Sequence, residues 1–156
     1  MSKGPAIHFS FDPAEFAGKR ALVTGGTKGM GEAIVRRLAA GGATVATTAR
    51  SPLPESQAVK LFVQADISTR AGVDDVVREV MDRFGGVDIL VNNVGGSSAP
   101  SGGVLALSDD DWQDTINANL FAAVRLDRAF LPAIVSVMAQ CVAAPSILTT
   151  SPAIVA

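Results

Sequence analysis

One stretch, Ala21-Leu22-Val23-Thr24-Gly25-Gly26-Thr27-Lys28-Gly29-Met30-Gly31, restricts this chain to a narrow set of folds. The apolar run from Ala21 to Val23 is too short for a helix and ends in turn residues, so it reads as a buried strand. After Gly31 the spacing changes to Ala33, Ile34 and Leu38 with Arg36-Arg37 opposite, which is a helical period. A strand that turns through glycines onto a helix N-terminus holds backbone N–H groups where a phosphate can sit. The alternative is a tight strand-to-helix connection without a ligand. Glycines at 25, 29 and 31 give Thr-Gly-x-x-x-Gly-x-Gly, a rarer spacing than G-x-G-x-x-G.

The remaining segments repeat the strand–helix alternation. The first helix stops at Gly41-Gly42, and a second strand follows over residues 43–48, rich in β-branched residues. Ser51-Pro52-Leu53-Pro54 breaks the chain, and residues 60–64 form a third strand. Ser68 or Thr69 caps a helix running to Phe84 with Val73, Val76, Val77 and Val80 as its apolar stripe. Gly85-Gly86 ends it, and residues 87–91 make a fourth strand. The alternation predicts an α/β fold, the first half of a doubly wound parallel sheet with right-handed crossovers. A Gly-, Ser- and Pro-rich loop then leads to Ser108, which with Asp111 forms a capping-box pattern. Trp112, Ile116, Leu120 and Ala123 share one helical face and are expected in the core.

Composition narrows the classes of partner. At 156 residues, 48% apolar and 18% charged, the chain suits one globular domain. A net charge of −2 gives no reason to expect nucleic acid or an anionic membrane. The lone Cys141 and the lack of a signal-like segment before Lys19 point to a reducing cytoplasm. His8 stands alone in a Gly- and Pro-containing leader and reads as a solvated residue; no metal-ligating set is present.

These motifs resemble the short-chain dehydrogenase/reductase family, whose cofactor loop has the Thr-Gly-x-x-x-Gly-x-Gly spacing. The resemblance implies a Rossmann-type doubly wound sheet, incomplete here, of about four to five strands with flanking helices. It also implies that Thr24, Gly25, Thr27, Lys28, Gly29, Met30 and Gly31 hold a dinucleotide. Arg50 follows the second strand, where an acid would select NAD(H); a guanidinium pairs instead with a 2′-phosphate. Lys28 adds a second charge, so NADP(H) is expected over NAD(H). The bland alternative makes Arg50 a solvated loop cation. Asp66 and Ile67 resemble the family's adenine contact, with a turn aspartate as the alternative. Asn92-Asn93-Val94-Gly95 resembles the Asn-Asn-Ala-Gly motif, so Asn93, Val94 and Gly95 are expected beside the cofactor; an ordinary turn is the alternative. Asn119, seven residues after Trp112, matches the family's catalytic asparagine, thought to hold a water.

Residues 1–15 read as a flexible arm and 133–156 as an apolar tail, and the resemblance makes 16–132 the NAD(P)-binding portion. The family's general acid is a tyrosine, made effective by a nearby lysine. This sequence has no tyrosine, and Lys60 is its last lysine. After Arg128 no charged residue occurs. Either residues 146–151 make a fifth strand, with Ser151 or its neighbour Pro152 at the catalytic-serine position, or the tail is truncated or frameshifted. A membrane helix is disfavoured because Pro132 and Pro145 bracket too short a span. The expectation is a short-chain dehydrogenase/reductase-type NADP(H) binder with impaired catalysis. A small carbonyl or alcohol substrate enters only if it is competent. With its covering elements absent, the long helix predicts a homo-oligomer or aggregation; a non-catalytic interaction protein is the alternative.

Overall fold

The computed structural model describes residues 12–55, 57 and 59–143. Strands β1 (Arg20–Thr24), β2 (Thr44–Ala49), β3 (Leu61–Gln64) and β4 (Ile89–Val91) form one all-parallel sheet in the order β3-β2-β1-β4. Helix α1 (Gly29–Ala40) connects β1 to β2, and α2 (Arg70–Phe84) connects β3 to β4. After β4 come a short 3₁₀ turn (Val104–Ala106), α3 (Asp109–Ile116), a π-helical turn (Asn117–Phe121) and α4 (Ala122–Ala143). Residues 12–18, at the edge of the expected arm, fold as turns, and the Phe16 N–H donates to the Gly41 carbonyl at 2.7 Å. Among the described residues no helix is long and apolar enough to cross a membrane.

Alternation along β1 sends successive side chains to opposite faces, and both faces are covered, as parallel sheets require. Ala21 and Val23 meet Val35 and Leu38 of α1. On the other face Leu22 meets Val73, Val76 and Val80 of α2 and Ala122, Leu126 and Phe130 of α4. Thr69 caps α2, its hydroxyl accepting from the Gly72 N–H at 3.0 Å. Ser108 and Asp111 form the capping box of α3.

The expected core stripe of α3 is not buried. Trp112 is 46% exposed, Leu120 is 54% exposed, and Ile116 is exposed too. The three do share a face, as their spacing predicts, but burial depends on what lies opposite. Among the described residues β4 is an edge strand, and α3 runs directly into the π-helical turn that follows it. That turn inserts one extra residue and rotates the next segment. The face that reaches the sheet is therefore Ala122, Leu126 and Phe130, each at most 2% exposed.

Where β1 and β4 begin, Arg20 and Asp88 join them. The guanidinium donates from Nε and Nη2 to both carboxylate oxygens at 2.9 Å, and from Nη1 to the Phe84 carbonyl at 3.0 Å. These hydrogen bonds from Arg20 hold the Asp88 carboxyl at about 2, against an ordinary 3.8. A depressed folded-state value stabilises the fold above the unfolded value and is lost as pH falls through the folded one. Asp88→Asn is thus expected to cost about 1–2 kcal/mol at neutral pH, after allowance for solvent. In urea unfolding, the gap between wild type and variant should hold above about pH 5 and close between about pH 4 and 2. A gap independent of pH would refute the assignment.

Candidate functional site

The carboxyl ends of the four strands open into a cleft of about 880 Å³. Open parallel sheets bind ligands at such ends, and the volume lies within the roughly 300–1,000 Å³ of ordinary ligand pockets. One wall is the glycine loop. Gly29 takes φ +57°, and nothing stands within 4 Å of where its Cβ would be, so the loop's outer side is open. Gly31 is the reverse case: a Cβ there would lie 2.2 Å from the Gly25 carbonyl oxygen and 2.5 Å from Asn93 Nδ2. That contact lets α1 begin directly against the end of β1.

Helix α1 starts without a side-chain cap, since its N-cap is Lys28. Its first N–H groups and the positive end of its dipole therefore face the cleft without a capping side chain. The one acid in its first turn, Glu32, is paired with Arg36. Gly25, Thr27, Lys28, Gly29, Met30 and Gly31 all line the cleft. Arg50, just past β2, and Asp66 and Ile67, just past β3, line it as well. So do Asn93, Val94 and Gly95 after β4.

Thr24 does not. It is 1% exposed, and its hydroxyl binds three backbone groups. Oγ1 donates to the Val91 carbonyl at 3.3 Å and accepts from the N–H groups of Asn93 at 2.9 Å and Val94 at 3.0 Å. The expected ligand contact is a strut between the ends of β1 and β4. Asn93 completes it, its Nδ2 donating to the carbonyls of Thr24 at 2.9 Å and Gly25 at 3.3 Å. Asn92 points the other way, with Nδ2 donating to Asp127 of α4 at 2.9 Å. Arg125 of α4 donates to the Ser68 carbonyl at 2.9 Å, so one helix braces the rims after β3 and β4.

Asp66 stands at the cleft and also closes a turn. It lines the cleft, and its Oδ1 accepts from the Ser68 N–H at 3.0 Å in a local turn. Asn119 sits in the π-helical turn, but its amide is already engaged. Nδ2 donates to the carbonyls of Gly96 at 2.6 Å and Thr115 at 2.8 Å, and Oδ1 accepts from the Gly96 N–H at 2.9 Å. This clamp fixes the loop after β4; the amide does not line the cleft. Ser151 and residues 146–151 lie outside the described residues.

Among the cleft residues that the sequence reading did not single out are Thr115 and Thr48. Thr115 precedes Asn119 by one helical turn, and that i, i+4 spacing was the available signal. Thr48 lies at the end of β2 with its Oγ1 buried and without a partner among the described residues. Only its place at a strand's carboxyl end could have marked it.

A family model described as short chain dehydrogenase matches residues 19–154. The chain belongs to this family. The match extends beyond Pro132 into the apolar tail. Among curated short-chain dehydrogenases, 3-oxoacyl-acyl-carrier-protein reductase of Escherichia coli is 37% identical over 125 residues, which is 76% of this chain and 50% of that enzyme. L-Sorbose reductase from Gluconobacter frateurii, solved with NADPH and L-sorbose, superposes with a TM-score of 0.70 at 35% identity. That alignment covers 80% of this chain and 50% of the reductase. A short chain dehydrogenase from Burkholderia cenocepacia in complex with NADP gives a TM-score of 0.64 at 36% identity, covering 76% and 51%. The chain thus spans about half the length of the short-chain dehydrogenases it matches.

Proposed function

We propose that the cleft binds NADP(H) in preference to NAD(H). The pyrophosphate lies at the N-terminus of α1 and the adenosine 2′-phosphate between Lys28 and Arg50. One observation carries this reading: both cations line the cleft that the glycine loop opens, and Ala49-Arg50-Ser51 presents no carboxylate after β2. The relatives solved with NADPH and NADP support it. Asp66 and Ile67 flank the adenine, and Asn93, Val94 and Gly95 border the path towards the nicotinamide. When bound, the dinucleotide supplies or accepts a hydride at a carbonyl or alcohol carbon.

Binding and turnover separate in this chain. None of its 156 residues is a tyrosine, so no phenol delivers a proton beside the hydride. The Asn119 amide is held by the backbone of Gly96 and Thr115. These residues therefore form a dinucleotide-binding half that does not by itself reduce a carbonyl. A cytoplasmic setting, resting on the single Cys141, belongs to the same reading.

Calorimetric titration tests both parts. Arg50→Ala should weaken NADPH by about 10- to 100-fold, the worth of one bidentate phosphate contact, and leave NADH within about threefold. Equal affinity of the wild type for NADPH and NADH would overturn the 2′-phosphate assignment. NADPH oxidation by the 156-residue chain, with its mass confirmed and a carbonyl substrate supplied, would overturn the second part.

A further reading, self-association, is favoured by the exposed apolar face of α3 and α4. Trp112, Ile116 and Leu120 continue into Val124, Leu131 and Val135, all at least 37% exposed. So large an apolar patch calls for a cover. Sedimentation should show oligomers that Leu131→Lys shifts towards monomer; a monomeric wild type at tens of micromolar would refute it.

A further inference from the structure

Beneath the glycine loop, on the α1 face of the sheet, lies a polar contact that the cleft alone does not explain. Among the described residues no helix lies in the connection from β2 to β3, and Val59 in this connection packs with the cluster beneath α1. Two residues earlier, Gln57 is buried, and its Nε2 donates to the Gly26 carbonyl at 2.6 Å. The N–H of Gly26 is also tied down, donating to Thr47 Oγ1 at 3.0 Å, and Thr47 in turn donates to the Val23 carbonyl at 2.7 Å. A Cβ on Gly26 would lie 2.2 Å from Thr47 Oγ1 and 2.7 Å from Val35 Cγ2, so the loop rests directly on this floor.

A trans peptide directs its C=O and N–H to opposite sides, and no cis bond occurs among the described residues. Holding the Gly26 carbonyl down on Gln57 therefore turns the Thr27 N–H the other way. Thr27 lines the cleft, and its N–H has no partner among the described residues. Packing does not account for an amide at position 57. Its Oε1 is buried without a partner among the described residues, a cost that the Nε2 contact to the Gly26 carbonyl offsets.

We propose that Gln57 is a positioning residue for a dinucleotide pyrophosphate. It fixes the Gly26–Thr27 peptide so that the Thr27 N–H joins the N-terminus of α1 as a phosphate donor. Gln57 never touches the ligand. Because it acts through the loop that serves any dinucleotide, it bears equally on NADPH and NADH, unlike Arg50. The inference rests on the dinucleotide reading given above.

The test compares wild type and Gln57→Met by calorimetry with NADPH, NADH and 2′-AMP, which keeps the adenine and the 2′-phosphate but has no pyrophosphate. The variant should keep its thermal midpoint within a few degrees and lose on the order of tenfold in affinity for both dinucleotides. Its affinity for 2′-AMP should stay within about twofold. In the wild type, the Thr27 amide resonance should shift on addition of NADPH. This arm stands even if the variant fails to fold. An unchanged NADPH affinity in Gln57→Met, an equal loss for 2′-AMP, or a Thr27 amide that ignores NADPH overturns the inference alone. A wild type that binds neither dinucleotide overturns the dinucleotide reading, and this inference with it.

Discussion

Gly31→Ala is expected to lower stability by about 3 kcal/mol or more and to abolish dinucleotide binding at millimolar concentration. The new methyl would lie 2.2 Å from the Gly25 carbonyl oxygen and 2.5 Å from Asn93 Nδ2. Neither atom can step aside. Gly25 follows directly on β1, with its N–H donating to the Thr48 carbonyl at 2.8 Å, and the Asn93 amide donates to the Thr24 and Gly25 carbonyls. Relief must come from moving α1 off the sheet or breaking the Asn93 contacts, and either opens the cleft. Gly29→Ala is the control. It pays the left-handed backbone cost of about 1–2 kcal/mol but has open space for its methyl. Urea midpoints should therefore fall further for Gly31→Ala than for Gly29→Ala. The reverse order would show that backbone strain, not the close approach, sets the role of this loop.

Thr24→Val should be nearly as costly. Valine keeps the shape but strands the Asn93 and Val94 N–H groups that the hydroxyl accepts from. Each unsatisfied donor costs about 1–3 kcal/mol when buried, and with both N–H groups part-buried a loss of about 2–4 kcal/mol, in the lower part of the summed range of about 2–6, is expected in denaturant unfolding. Dinucleotide affinity should drop by on the order of tenfold, because the Asn93–Gly95 rim is then no longer pinned to β1. Thr24→Ser keeps the hydroxyl and should stay within about 1 kcal/mol of wild type. Equal stability of the serine and valine variants would remove the strut from the account.

What could be read in the sequence was local. The glycine spacing, the Thr69 and Ser108 caps and the β-branched runs each act within a few residues, and each formed the element expected of it. That Arg50, Asp66 and Asn93 converge on one cleft was legible because the carboxyl ends of parallel strands meet wherever the sheet alternates with helices. Thr24 was misread because its side chain faces the β1–β4 seam, a direction fixed by a partner 67 residues away in Val91. The stripe of Trp112, Ile116 and Leu120 was read as a face, correctly, but not its surroundings. A π-helical turn leaves no mark in a hydrophobic period until the following face is seen. Gln57 carried no signal at all, since its importance lies in a carbonyl that every residue possesses.

The β1–β4 seam also ties ligand affinity to chain completion. Pairing of Ala21 with Ile89 brings together segments 68 residues apart in sequence, and loop closure over that span must come before any reward. Until β4 docks, Thr24 has no Val91 to bind, and the cleft lacks the wall formed by Asn93, Val94 and Gly95. A partly folded chain can therefore offer the glycine loop but not the finished site. Any dinucleotide that needs both walls binds only the closed seam, and by mass action it stabilises that state by RT ln(1 + [L]/Kd). On the proposed binding reading, bound dinucleotide reports closure of the β1–β4 seam.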